Sequence, residues 1–277
     1  TFGSMANDGG SLILNRAEVD KLRNVDGKLP EYVRLFIGTS ELTKGVLRYC
    51  LWFPAEVFDF EVPIEISDRI KASQSSRSKS TRPATKALAR FPHRFGEVRQ
   101  IGNEDVIIVS RVSSENRDYL PVDLLGRGSI VSDAAFGMFN APLYNLAIIA
   151  SRMHICWIAT VCGRLKSDYR YSNTLGWNTF PLPKLTNQNK ADLKHCAEDI
   201  LLAREAHFPA TIAELYDPEK MPDNLRRAHD ANDEVLERIY IGRRFKNDTE
   251  RLEKLFELYT KMSQNAGKPT KNKKEAA

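Results

Sequence analysis

The chain has 277 residues, 42% of them hydrophobic and 28% charged, with a formal net charge of +5. That is enough for one large domain or two modest ones around a real core, and no apolar run approaches the roughly eighteen residues of a membrane span. So mild a positive excess decides little by itself; what counts is where the cations cluster. Cys50, Cys156, Cys162 and Cys196 lie in apolar or helical surroundings without CxxC pairing. The first residues also lack the charged, apolar, small-residue order of a secretion signal, so reduced thiols and a cytoplasmic location are expected.

Asp8, Gly9 and Gly10 read as a turn. Leu12 to Leu14 then reads as a short strand and Arg16 to Leu22 as a short helix. Tyr32 to Ile37 alternates as a strand that Gly38 breaks, and Leu47 to Phe53 is apolar enough for a buried strand. The linking GTSELTKG reads as a polar hairpin loop carrying Ser40 and Lys44. Between Lys71 and Arg99 eight cations face one acid, Glu97, with serines and threonines in the gaps. Such a run is either a solvated face or a surface that neutralises phosphates, in which hydroxyls also donate to phosphate oxygens. Ala87, Leu88 and Phe91 suggest that part of it is helical and docked. Val106 to Val109 is a short buried strand whose end opens into Arg111, Ser113, Ser114, Arg117 and Tyr119, with Tyr119 and Leu120 expected to start the next strand. Polar groups leaving a strand end are often functional, and a surface hairpin is the plainer alternative. Ile130 to Phe139 is a further strand region.

The stretch from Pro142 to Pro183 organises the rest. Pro142 suits a first helical turn, and Leu146, Ile149, Met153, Trp157 and Val161 recur at three- and four-residue spacing. One buried helix is expected, ending at Gly163 in the left-handed position. Directly after it come Arg164, Lys166, Arg170, Tyr171, Ser172, Asn173, Trp177 and Asn178. Cations, hydroxyls, amides and aromatics delivered to one place suit a polyanion with flat bases better than a small metabolite. Beyond Pro183 three amphipathic helices follow, one through Leu193, Ala197 and Ile200, one opened by Pro222, one capped by Asp248. GKPTKNKKEAA reads as a solvated tail.

The phosphate-cradling GxGxxG and GxxxxGK[ST] are absent, and the five histidines are scattered. His154 beside Cys156 and Cys162 does not match zinc spacing. No catalytic residue, cofactor site or metal site is therefore assigned.

SRMHICWIATVCGRLKSDYRYS followed by NTLGWNTFPLP resembles the end of the target-recognition domain of the MmeI group, single-chain type IIL restriction–modification enzymes and their methyltransferase-only relatives. FGSMANDGGSLIL, LFIGTSEL, RYCLWF, TKALARFPHRF and VSSENRDYLPVDLL follow in the family's order, and LYDPEKMPDNLRRAHDANDEVLERIY and LEKLFELYTKM resemble its helical tail. The resemblance implies an α+β chain: a DNA target-recognition domain over 1–185, a helical domain over 186–265 and a basic tail over 266–277. It implies double-stranded DNA as the partner, and an upstream domain that uses S-adenosylmethionine to methylate a flipped adenine. The (Asp/Asn/Ser)-Pro-Pro-aromatic motif of that domain is absent from this sequence, and restriction members add an N-terminal nuclease. With the resemblance, the DNA reading of the basic run is preferred. The expected DNA contacts are Lys79 and Arg82, then Arg111, Ser113, Ser114 and Arg117, and finally Arg152, Arg164, Lys166, Arg170, Tyr171, Ser172 and Asn173. The two loop segments are expected to converge on one face, the alternative being arginines that pair with Glu115, Asp118 and Asp168. Two rival readings stay open: a protein–protein scaffold, and an enzyme of another class.

Overall fold

The computed structural model describes residues 1–23, 27–58 and 60–266. The tail expected over 266–277 lies, after 266, outside the described residues. The opening residues are built into the fold by bridges from Phe2 to Phe136, Ser4 to Ser132 and Met5 to Glu97. The Asp8 carboxylate accepts from the Gly10 N–H at 3.0 Å and from that of Leu12, closing the expected turn. Gly9 and Gly10 sit at φ 72° and 89°, where a side chain would be strained.

β1 (Ile13–Leu14), α1 (Arg16–Asp20), β2 (Val33–Ile37), α2 (Thr39–Lys44) and β3 (Tyr49–Leu51) follow. α2 replaces the expected hairpin loop. The Gly38 N–H donates to the Glu41 carboxylate at 2.8 Å and Gly45 closes the helix at φ 66°, so both ends of a six-residue helix are satisfied. The basic run is ordered as α3 (Ile64–Ser78), α4 (Pro83–Ala87) and a 3-10 turn at Leu88–Arg90. Arg77 holds it there. This side chain is 1% exposed and donates to the carbonyls of Asn7, Leu88, Phe91, Ala6 and Arg94 at 2.7–3.3 Å.

β4 (Val106–Ser110), β5 (Val112–Ser113), β6 (Val122–Leu125), β7 (Ser129–Val131) and β8 (Ala135–Phe139) come next. One sheet has the order β1-β3-β2-β7 and a second β6-β4-β8. Tyr119 and Leu120 are buried before β6 begins at Val122. The expected single helix is two, α5 (Tyr144–Ile149) and α6 (Arg152–Val161). Ser151 breaks it: extended at φ −100°, ψ 156°, it caps α6 by accepting from the His154 N–H at 3.1 Å. Gly163 is no left-handed cap. Cys162 ends α6 in an extended conformation, and Gly163 begins β9 (Gly163–Leu165), which turns into β10 (Asp168–Arg170).

α7 (Asn187–Glu205), α8 (Ile212–Leu215), α9 (Asp223–Ile241) and α10 (Asp248–Ala266) complete the chain. Their apolar faces share a core with α5, α6 and β4, where Leu146, Trp157, Leu193, Ile200, Leu225, Leu236 and Leu255 meet. A second core, with Leu12, Phe36, Trp52, Phe53 and Phe95, lies under the first sheet. The architecture is α+β, a mixed α/β region followed by a helical one. No described helix is long and apolar enough to cross a membrane.

Candidate nucleic-acid interface

The two loop segments form one sheet. β10 is its centre, pairing with β5 through Tyr169 to Ser113 and Arg170 to Val112, and with β9 through Tyr169 to Arg164. The Tyr171 N–H extends the first ladder to the Arg111 carbonyl at 2.9 Å. All three residues of β9 are exposed, so the β9–β10 hairpin stands out from the body. At its tip Lys166 sits at φ 57°, a conformation that costs a non-glycine residue roughly 1 kcal/mol.

The side chains around this sheet divide into three kinds. Lys166 and Arg170 are exposed and have no carboxylate partner among the described residues. Arg117 is half-buried in a cleft of about 140 Å³ lined by Glu115, Asn116, Asp118, Arg152, Tyr169 and Asp248. Burial pulls its guanidinium below the usual range, and Asp168 and Asp217 oppose that pull. A second kind is partly engaged. Arg164 bonds Glu115 at 2.7 Å and lies over the Tyr169 ring, while Arg111 donates to the Asp133 carbonyl at 3.2 Å and lies over Phe2. The Ser114 hydroxyl accepts from the Asn116 N–H, and Ser172 caps the turn that contains Asn173.

The third kind corrects the sequence reading. Tyr171 is 4% exposed, its hydroxyl at 3.1 Å from His154 Nε2 and its ring against Phe136, so it is a core post and not a contact. Ser113 is 1% exposed and likewise cannot reach a ligand. Arg152 is committed to Asp118 at 2.9 Å and to Asp248 at 2.7 Å. Its guanidinium is held above the usual range, first by the Asp248 hydrogen bond. The expected convergence and the expected local ion pairs thus coexist, on different arginines.

The basic run is similarly sorted. Arg77 is buried, while Lys71 pairs with Asp68, Arg94 with Glu56 and Arg99 with Glu97. Lys79 and Arg82 remain exposed, without a carboxylate partner among the described residues. They flank a cleft of about 320 Å³ lined by Asn7, Gly9, Ser76, Ser80, Thr81 and Thr85, hydroxyls and amides with no acid. Those four hydroxyl residues were legible only as gaps between cations. Phe2 lies under Arg111 and Gly9 lines this cleft. Seven chain steps separate them, so Phe2 and Gly9 lie within about 25 Å of each other. That is less than one turn of B-DNA, about 34 Å.

Comparison with known proteins agrees. The family model of the MmeI target recognition domain matches residues 1–184, and that of the MmeI C-terminal domain matches residues 185–266. DNA methyltransferase A of Bacillus subtilis (strain 168) is 40% identical over 264 residues, which is 95% of this chain and 30% of that protein. A solved structure of the type IIL restriction–modification enzyme MmeI in complex with DNA superposes with a TM-score of 0.83 at 31% identity, covering 95% of this chain and 35% of that one. The chain spans about a third of the length of the relatives it matches. It belongs to the MmeI family, of which it carries the target recognition domain followed by the C-terminal domain.

Proposed function

We propose that this chain is the DNA-reading part of a longer adenine-specific, N6-modifying DNA methyltransferase of a restriction–modification system. In that reading S-adenosylmethionine is bound by an upstream domain of the same protein, and this part grips duplex DNA and reads bases while the adenine is flipped out. The observation that carries it is the exposed hairpin, whose Lys166 and Arg170 have no carboxylate partner among the described residues, beside the half-buried Arg117. Cations held on a paired strand, at its hairpin tip and in the adjoining loop suit base edges and phosphates. Arg111, Arg164, Ser114, Ser172 and Asn173 border the same sheet, and Lys79 and Arg82 hold the backbone some distance away. The proposed division is a recognition domain over 1–185, a helical domain over 186–265 and a tail beyond, in a cytoplasmic protein.

Titrating duplex DNA into the chain at several salt concentrations tests this. Affinity is expected to fall steeply with salt, and replacing both Lys79 and Arg82 with alanine should reduce the log–log slope by about two, at close to one per lost phosphate contact. All duplex sequences should weaken by a similar factor. An unchanged slope, or no salt-dependent affinity at all, contradicts the assignment. Methyl transfer from labelled S-adenosylmethionine by this chain alone would also contradict it.

A further inference from the structure

The proposed reading sheet is fed by two arms, and one carboxylate of the helical region grips both. The first arm runs from β5 through Arg117 and Asp118 to Tyr119; the second starts at the break between α5 and α6 and runs along α6 into β9. Asp233, on α9, is 2% exposed. One of its oxygens accepts from the Arg152 N–H at 2.7 Å, the free first-turn donor of α6. The other accepts from the Tyr119 hydroxyl at 3.0 Å. His229, one turn earlier on α9, stacks on the Tyr119 ring at 4.0 Å between centroids and bonds the Ala150 carbonyl at 3.0 Å. The Arg152 side chain then ties Asp118 to Asp248 of α10.

We propose that Asp233 is a positioning residue for target discrimination, fixing the 111–119 arm against the 150–170 arm and so setting the register in which the sheet meets base edges. This rests on the DNA-reading function proposed above. Buried as it is, Asp233 cannot touch DNA. Nor is it placed for stability, because its two direct partners are neutral donors. A buried carboxylate without a cation directly on it is a net cost that a neutral side chain of similar shape would lessen. The surrounding charges are mixed: Glu237 and Arg251 face Asp233 from α9 and α10, Asp118 and Asp230 lie about Tyr119, and burial dominates, pushing the carboxyl up to about 7. What the geometry supplies is a single atom pair that links two chain segments to a third. Base readout needs its side chains held within a fraction of an ångström, and this link joins α9 to both arms directly.

Two measurements on the full chain test it. The first is the ratio of affinities for a duplex enriched from a random pool and for its scrambled counterpart. In Asp233→Ala that ratio should fall about tenfold, with affinity for scrambled duplex and its salt slope unchanged. Tyr119→Phe, which removes one of the two bonds and keeps the ring, should fall in the same direction by less. Asp233→Asn, whose Oδ1 can accept from the Arg152 N–H while its amide N–H donates to the Tyr119 oxygen, should restore the ratio. The second is amide hydrogen exchange without DNA: residues 112–113 and 163–170 should exchange faster in Asp233→Ala and in Tyr119→Phe while β4 stays protected. A ratio that holds, or one that falls together with scrambled-duplex affinity, overturns the proposal. Should the wild-type chain show no preference among duplexes, the reading function fails, and unchanged exchange in the sheet would independently overturn the clamp.

Discussion

Replacing Arg77 with alanine is expected to destabilise the fold by roughly 3–5 kcal/mol, the range for breaking a buried charged network. All five of its N–H donors are used, Nε on Asn7, Nη1 on Leu88 and Phe91, Nη2 on Ala6 and Arg94. The change leaves five carbonyls without that partner and a hole where a guanidinium lay. Burial pulls the group below its usual range, with Asp8 opposing, yet an arginine there stays charged. The partial charges of the carbonyls therefore stabilise the cation at contact distance, and the Asp8 carboxylate adds to them without bonding it. Lysine should rescue little, because three donors on a point charge cannot span a planar fork of acceptors. In thermal unfolding the melting temperature should drop by on the order of 10 °C. Lys79→Ala, two residues on and exposed, should stay within about 0.5 kcal/mol of wild type. A loss below about 1 kcal/mol for Arg77→Ala would mean that the run is held by something else.

Acid should unfold the protein through two histidines. His154 is fully buried with Nε2 on the Tyr171 hydroxyl, and His229 lies between the Ala150 carbonyl and the Tyr216 hydroxyl. Burial pushes both down to about 3, with Arg204 adding to the effect at His229. The unfolded chain takes up these protons near pH 6.5, whereas the folded chain refuses them until about pH 3. The stability they confer is complete above about 6.5 and is lost as pH falls through that window. At about 1.4 kcal/mol per pH unit for each group, the loss between pH 6.5 and 4.5 is roughly 5 kcal/mol. Asp233 works the other way: raised to about 7 by burial, its carboxyl keeps a proton that the unfolded chain has already lost, so stability falls as pH rises toward that value. Denaturant titrations of Asp233→Asn should therefore show a steeper acid loss than wild type. A stability flat from pH 6.5 to 4.5 in that variant would contradict the assignment of neutral buried histidines.

Much of the fold was legible because its helices carry long stripes and marked ends. Pro222 opens α9 where the sequence places it, whereas α10 begins at the expected Asp248 but is capped by Asn247, which accepts from the Glu250 N–H at 3.0 Å. α3 is not marked by the sequence for the converse reason: of its fifteen residues Ile66, Ser73 and Arg77 are buried, and although they share one helical face two of them are polar, so no apolar stripe exists. The break at Ser151 was invisible because the apolar spacing runs on through it. Besides Ser151 itself, polar side chains of α9, more than seventy residues away, satisfy the exposed ends: Asp233 accepts from the Arg152 N–H and His229 donates to the Ala150 carbonyl. The sheet of the candidate site joins residues as far apart as Ser113 and Tyr169, a pairing that no local pattern encodes. Resemblance placed both segments in one domain but could not give the register. Tyr171 could have been sorted correctly from strand alternation: with Arg170 facing water, its neighbours Tyr169 and Tyr171 turn inward.

The central claim, that the β5–β10–β9 sheet reads base sequence, is tested most directly by selection. Duplexes enriched from a randomised pool by the wild-type chain and by Arg170→Ala and Arg117→Ala would be sequenced and compared. The wild type is expected to enrich one motif. Each variant should lose preference at a single base pair or an adjacent pair, costing about 1–3 kcal/mol there, while the remaining positions and the melting temperature hold. Recovery of the same motif at full strength by both variants, or a uniform loss of binding with no position affected, would contradict it.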